Sequence, residues 1–243
     1  MKIQSLQLLP VLCLAALLAS CSSGMLLDDN LKTDTTVMNV KGRSGGMPGQ
    51  KLAFGGYFSN KVERRIAEET SKAYALSVQA TLDTMQFEVF DSTGHSSSIF
   101  CLSKNSQIDL PVVGEKYSVP VGGQNTCYGT IALDSDTPAW NFSIRNPSCI
   151  APGLFAGGVI TNGTFSIEIR EVRRNAKGRS MNDLILGFQF WEGNSVIGAV
   201  ELVGGGKIMI KNTLSDDIKF LLATTAATML LRYDMSQAKA KSN

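Results

Sequence analysis

The feature that most constrains the fold is segment 215–233, which reads SDDIKFLLATTAATMLLRY near the end of the 243-residue chain. Ser215 suits a helix N-cap, and the two aspartates after it place negative charge at the positive end of the helix dipole. Arg232 suits the other end for the converse reason. Residues 220–231 present no charged face, and a helix without a polar face has to be enclosed by protein or by lipid.

Enclosure by protein is the interpretation that the length of this segment favours. The apolar part is shorter than the roughly 20 residues that a bilayer-spanning helix needs. Its threonines, Thr224, Thr225 and Thr228, can donate their hydroxyl hydrogens to carbonyls one turn earlier. At about 1.5 Å per residue the helix is about 28 Å long, close to the height of a small barrel. The rest of the chain is therefore expected to surround it.

Short strands separated by turn residues fill most of the chain before the helix. Segments 85–90 and 164–172 alternate apolar and polar residues, and 184–191 and 196–203 flank a glycine-containing turn. We predict one mainly β domain over 37–233, with about twelve antiparallel strands closed into a barrel around the helix. Such a barrel is too wide to be filled by its own side chains, and a helix of about 10–12 Å diameter fits it. The alternative is a β-sandwich capped by the helix. Residues 234–243 form a polar tail.

The last two hairpins and the helix also carry a resemblance. Segments 184–193 and 196–211 lead through Asp216-Asp217-Ile218-Lys219 into 220–233, an order similar to that of the tubby and phospholipid-scramblase superfamily. The resemblance implies a closed barrel of about twelve strands around a C-terminal hydrophobic helix. The chain lacks the calcium-binding segment and the cysteine cluster of animal scramblases, so that activity is not implied. The phosphoinositide pocket of tubby proteins cannot be placed here residue by residue.

The N-terminus predicts a targeting signal over residues 1–20, with Lys2, an apolar stretch and a small-residue cleavage site. Leu18-Ala19-Ser20-Cys21 resembles the lipobox of bacterial lipoproteins, which implies that Cys21 is acylated and begins the mature chain. Ser22 rather than aspartate after the cysteine implies the outer membrane of the cell envelope. The alternative is an ordinary signal peptide with a chance cysteine. Residues 21–36 are expected to be a polar tether.

A second block resembles the N-terminal part of certain uncharacterised bacterial lipoproteins. It consists of Gly42-Arg43, Gln50-Lys51-Leu52, Phe54-Gly55, Lys61-Val62 and Arg64. That family implies no activity. The polar stretch 59–72, which overlaps the block, has loosely helical spacing and is expected to be a helix or an irregular arm.

Cysteine and histidine usage limits the chemistry. Cleavage before Cys21 leaves Cys101, Cys127 and Cys149, enough for one disulfide and one free thiol in an oxidising compartment, and their spacing does not select the pair. No two of them have zinc-ligand spacing and His95 is the only histidine, so we expect no metal and no other cofactor. His95 lies in a serine-rich turn, where we expect a solvated side chain rather than a catalytic one.

One concentration of charge stands out in a chain whose formal net charge of +2 gives no basis for a nucleic-acid partner. Two acidic residues, Glu168 and Glu171, lie within it. It is either a solvated hairpin loop or a contact site for anionic lipid head groups, for sugar phosphates or for an acidic face of a partner protein. The cluster consists of Arg170, Arg173, Arg174, Lys177 and Arg179.

These patterns favour a non-enzymatic lipoprotein, attached to the membrane through Cys21, whose barrel is a binding or assembly module at the cell envelope. An extracytoplasmic hydrolase with an unrecognised site is the alternative, and its chemistry would show as carboxylates with perturbed pKa in a polar cleft. A carrier of an apolar ligand is a third hypothesis, although a helix inside the barrel leaves little room for one.

Overall fold

A computed structural model describes residues 24–44, 49–73, 76–113, 117–133, 139–147, 157–181 and 184–232. Within those ranges the chain forms thirteen strands, a short 3-10 helix (Asp29–Leu31) and one α-helix, α1 (Asp216–Leu231). In chain order the strands are β1 (Thr35–Asn39), β2 (Ala53–Phe54), β3 (Tyr57–Ser59), β4 (Glu63–Ala73), β5 (Leu76–Phe90), β6 (Ser96–Val113), β7 (Tyr117–Leu133), β8 (Trp140–Pro147), β9 (Gly157–Thr161), β10 (Ser166–Val172), β11 (Gly187–Glu192), β12 (Ser195–Glu201) and β13 (Lys207–Lys211).

The strands form a nearly closed antiparallel barrel. Twelve of them follow one path, β1-β13-β12-β11-β10-β9-β8-β7-β6-β5-β3-β2, and β4 pairs with β5 beside that path. The two ends of the path meet where Lys41 and Ala53 exchange backbone hydrogen bonds of 2.9 and 3.1 Å. The prediction of a barrel of about twelve strands around one C-terminal helix is confirmed, and the sandwich alternative is wrong.

The helix α1 lies inside this barrel. Every residue from Phe220 to Leu231 is buried, and α1 contacts β6, β7, β12 and β13, which lie on different sides of it. A Cβ built on Gly198 of β12 would lie 3.2 Å from Leu222 Cδ1, so the helix approaches the wall closely there. The side chains that the strands turn inward onto this core include Phe87, Ile167, Ile169, Phe188 and Phe190, with Phe165 partly buried beside them.

The polar groups of α1 are satisfied without a polar face. Thr225 and Thr228 donate to the carbonyls of Leu221 and Thr224, at 2.9 and 3.0 Å, as the sequence predicted. The Thr224 hydroxyl instead lies 2.9 Å from that of Ser97 on β6. In the part of the chain that the structure describes, no helix has the length and apolarity to cross a membrane.

The segment expected to be a polar tether is packed against the barrel from Gly24 onward. Met25 and Leu31 are 2% and 3% exposed, and they form a second apolar cluster on the outer face of the sheet. The cluster is completed by Val172, Leu186, Val196, Ala199 and Met209. The segment was expected to be a tether because it is mainly polar. It also contains four apolar residues that are spaced for such packing, Met25, Leu26, Leu27 and Leu31.

The polar stretch 59–72 is neither a helix nor an irregular arm, because most of it is the strand β4. Its register on β5 runs without interruption from Glu63 opposite Gln86 to Ala73 opposite Leu76. Residues 65–70 are exposed on both faces of this edge strand. A strand exposed on both faces has no alternating apolar pattern, and for that reason no periodicity in the sequence indicated it.

Candidate functional site

The structure divides the predicted basic cluster into a paired part and a free part. Arg170 Nη2 lies 2.6 Å from Glu168 Oε2, and the Arg170 guanidinium lies 4.2 Å from the ring centroid of Trp191. The hydrogen bond from Arg170 lowers the pKa of Glu168, which is held as an ionised partner rather than as a proton donor. Arg173 Nε lies 2.9 Å from Glu171 Oε1. These two arginines are therefore occupied within the sheet.

The other three cations, Arg174, Lys177 and Arg179, lie in a tight turn that we call the basic loop (residues 174–179). Asn175 orders it: the Asn175 Oδ1 accepts hydrogen bonds of 3.0 Å from the backbone N–H of both Lys177 and Arg179. Gly178 has a φ of 76°, which the turn requires and which glycine adopts readily. All three cationic side chains are exposed, and no ion pair involves them among the residues described.

The N-terminal segment is hydrogen-bonded to the basic loop. The Gly24 carbonyl accepts a bond of 2.7 Å from the N–H of Ala176, and the Leu26 N–H donates to the Arg174 carbonyl at 2.8 Å. Between them, the Met25 N–H donates to Glu201 Oε2 at 2.9 Å. A Cβ on Gly187 would collide with the Met25 sulfur, so this glycine makes room for the methionine. Cys21 itself lies outside the described residues, three positions before Gly24.

Two arginines meet the last carbonyls of α1. Arg43 Nε donates to the Leu230 carbonyl at 3.0 Å, and its Nη1 donates to the Leu202 carbonyl at 2.7 Å. Arg64 Nη2 donates to the Leu231 carbonyl. Carbonyls at a helix C-terminus have no partners within the helix, and here positive charge also faces the negative end of the dipole. We call this side of the barrel the Leu231 end and the opposite side the Asp216 end.

A buried carboxylate accompanies Arg64 at the Leu231 end. Asp83 Oδ1 lies 3.2 Å from Arg64 Nε, and both side chains are only 2% exposed. Burial raises the pKa of Asp83, while the charges of Arg64 and Arg232 oppose that rise. Burial also lowers the pKa of Arg43. Sequence reasoning missed Arg43, Arg64 and Asp83 as a unit, although both arginines stand in the block that resembles uncharacterised lipoproteins.

A groove of about 650 Å³ opens on the outer wall of the barrel, across β7 to β10. Its centre is a row in which Gly157 pairs with Arg145 on one side and Arg170 on the other. Because Gly157 has no side chain, the two arginine side chains flank a gap in the layer of side chains that covers the outer wall. Tyr128, half-exposed at 51%, and Glu168 also line the groove. It has both positive and negative charge and an aromatic ring, as surfaces that bind other molecules often do.

The cysteines and the histidine are placed as follows. Cys101 on β6 and Cys127 on β7 form a disulfide, the pair that the sequence left open, and Cys149 lies outside the described residues. His95 is an exposed turn residue whose Nδ1 lies 3.0 Å from Asp91 Oδ2. Desolvation raises the pKa of Asp91, but hydrogen bonds from Thr93 and His95 outweigh it and leave that pKa below its usual value.

Two negative findings bear on the site. No group of three or more histidine, cysteine, aspartate or glutamate side chains able to hold a metal ion occurs in the described part of the chain. No protein-family model, curated protein or solved structure matches the chain.

Proposed function

We propose that this chain is an outer-membrane lipoprotein, anchored by acyl chains on Cys21, whose barrel is a non-enzymatic binding or assembly module at the cell envelope. The observation that carries the proposal is the position of Gly24, which is docked on the barrel only three residues after Cys21. Met25 and Leu26 are also hydrogen-bonded to the barrel, so a lipid-bearing Cys21 would lie close to its surface.

The disulfide supports a location outside the cytoplasm. Disulfides form and persist in oxidising compartments such as the bacterial periplasm and are rare in the cytosol. Cys101 and Cys127 are 1% and 0% exposed inside the barrel core, so their bond fastens β6 to β7 where solvent does not reach. An export signal and a structural disulfide are consistent with each other.

The architecture favours a binding role over the two alternatives, a carrier of an apolar ligand and a hydrolase. A carrier of an apolar ligand needs an open lumen, and α1 occupies the lumen of this barrel. In the groove, Glu168 and Glu171 are ion-paired to arginines, and the hydrogen bond from Arg170 lowers the pKa of Glu168, which disfavours a proton-donating role for that residue. The groove is a concave surface that carries both positive and negative charge, and we propose that an envelope protein binds there.

Mass spectrometry of the protein purified from bacterial membranes tests the anchor. We expect the mature N-terminus to be Cys21 with acyl chains attached, and the Cys21→Ala variant to be unacylated and absent from the membrane fraction. A matched variant, Cys13→Ala, removes the other cysteine of residues 1–21 and should leave acylation unchanged. A native protein that lacks acyl chains, or that keeps residues 1–20, would contradict the proposal.

A further inference from the structure

The start of the described chain at Gly24, close to the proposed lipid anchor on Cys21, lies against the basic loop. The carbonyl of Gly24 is bonded to the N–H of Ala176 in that loop. Gly24 is three positions after Cys21, and an extended chain spans at most about 3.6 Å per residue, so this reach is about 11 Å. Acyl chains on Cys21 insert in a bilayer, and the basic loop is thereby held close to the bilayer surface.

We propose that Arg174, Lys177 and Arg179 contact the acidic phospholipid head groups of the membrane that holds the acyl chains of Cys21, so that the Leu231 end of the barrel faces the bilayer. This inference rests on the acylation proposed above.

The position of the loop sets this orientation. At the base of the loop the Leu186 N–H donates to the Val172 carbonyl, and the Leu202 N–H donates to the Leu186 carbonyl. The Leu202 carbonyl in turn accepts from Arg43, which also bonds the Leu230 carbonyl at the end of α1. A continuous series of hydrogen bonds therefore connects the loop to the Leu231 end.

The positive charge of the basic loop indicates which molecules contact it. Nearby carboxylates are already engaged, since Glu171 pairs with Arg173 and Glu201 binds the Met25 N–H and Lys207. The three loop cations are therefore not neutralised by acids of the described chain. Near an anionic membrane each such cation strengthens binding about fivefold, within a screening length of about 8 Å. With the chain anchored through Cys21, head groups lie within reach of the loop, so we assign them, rather than an acidic protein, as its partner.

Vesicle binding by the non-acylated mature chain, residues 22–243, tests the contact without the anchor. This chain retains every described residue, and its circular dichroism and cooperative unfolding are checked first. We expect it to bind vesicles made of equal parts phosphatidylglycerol and phosphatidylcholine, and to bind phosphatidylcholine vesicles far less. Changing Arg174, Lys177 and Arg179 together to glutamate should weaken binding to the mixed vesicles by on the order of 100-fold.

A matched control separates the loop from overall charge. Lys32, Lys211 and Lys219 lie at the Asp216 end, and changing all three to glutamate reverses the same number of charges. We expect this control to lose only a few-fold in affinity. Equal losses in the two variants would overturn the proposal, as would native-like binding by the loop variant or equal binding of the native chain to neutral vesicles.

The orientation has its own measurement on the native acylated protein. Trypsin cleaves after Arg174, Lys177 and Arg179, and we expect this cleavage to slow in phosphatidylglycerol-containing vesicles relative to detergent, while cleavage after Lys32 keeps its rate. Unprotected loop cleavage in vesicles would overturn the orientation. Mass spectrometry decides acylation separately, so failure of the anchor and failure of the head-group contact give different results.

Discussion

The two ends of the central helix solve the same hydrogen-bonding problem in different ways. At the Asp216 end, Ser215 holds the N-cap position without a side-chain hydrogen bond, and the Asp216 side chain is 93% exposed. At the Leu231 end, Arg43 and Arg64 donate to the last two carbonyls, and Arg64 is buried with Asp83. Water can satisfy the exposed end, whereas groups inside the barrel need partners supplied by the protein.

Arginine suits the enclosed end for physical reasons. Its planar guanidinium carries five donors in a fixed geometry, so Arg43 can bond the helix end and the β12–β13 connection at once. It stays ionised even where burial lowers its pKa. The difference between the ends therefore predicts that stability depends strongly on substitutions at the Leu231 end and weakly on substitutions at the Asp216 end.

The largest effect is expected for Arg64→Met. This change removes the arginine that lies 3.2 Å from the buried Asp83 carboxylate, and it also removes the donor to the Leu231 carbonyl. Removing one partner of a buried pair typically costs about 3–5 kcal/mol, which urea unfolding measures. Arg43→Met, which breaks hydrogen bonds but strands no buried acid, should cost less, about 2 kcal/mol.

A double variant checks the origin of that loss. Arg64→Met combined with Asp83→Leu removes both charges, and we expect it to be more stable than Arg64→Met alone. If the two single losses simply add in the double variant, Arg64 and Asp83 are not coupled, and the buried pair is not what makes the Leu231 end sensitive to substitution.

A smaller effect is expected in the pH dependence of stability. Burial raises the folded-state pKa of Asp83 above its ordinary value of 3.8, so the folded chain holds this proton more tightly than the unfolded chain. The contribution of Asp83 is therefore most favourable below pH 3.8 and declines as the pH rises through the folded-state pKa. Relative to Asp83→Asn, which cannot titrate, the native protein should lose at most about 1.4 kcal/mol per pH unit in that window.

Urea unfolding of both proteins between about pH 3 and about pH 8, at intervals of about one pH unit, measures this difference directly. Subtracting the two curves removes the contribution of the other carboxylates. A difference that stays constant, or that favours the native protein increasingly as the pH rises, would show that Asp83 is not destabilised by burial.

The smallest effect is expected at the Asp216 end. Replacement of an N-cap serine by alanine typically costs about 1 kcal/mol because a side-chain hydrogen bond is lost. Ser215 makes no such bond, so Ser215→Ala should change the free energy of unfolding by less than about 0.5 kcal/mol. A loss of about 1 kcal/mol or more in thermal or urea unfolding would mean that both ends are capped by side chains.

Much of the helix and the barrel could be predicted from local pattern. The absence of a polar face predicted the enclosure of α1, and its bounds of 216–231 lie within two residues of the predicted 215–233. The alternating segments predicted the strands. Local pattern carries this information because the faces of a strand or helix differ in burial, and burial selects apolar residues.

The Leu231 end could not be predicted, because its members are far apart in sequence. Arg43 bonds a carbonyl 187 residues away and Arg64 one 167 residues away, and no periodicity relates such positions. The docking of Met25 was missed for the same reason, since its partner Glu201 is 176 residues away. The basic cluster was predicted, but its division into paired and free cations depends on which side chains the sheet brings together.

The pairing of β1 with β13 has a consequence for the order in which the molecule folds. Thr36 of β1 hydrogen-bonds to Asn212, which directly follows β13, and the two residues are 176 positions apart. The helix that fills the lumen follows β13 in the chain. The barrel wall therefore has no completed core until the last strand and the helix have been synthesised. Folding dominated by such distant contacts is slow, and partly folded chains expose apolar strands. If the chain is exported as proposed, folding that needs the complete chain would keep it unfolded during export, and it would fold only after crossing the membrane.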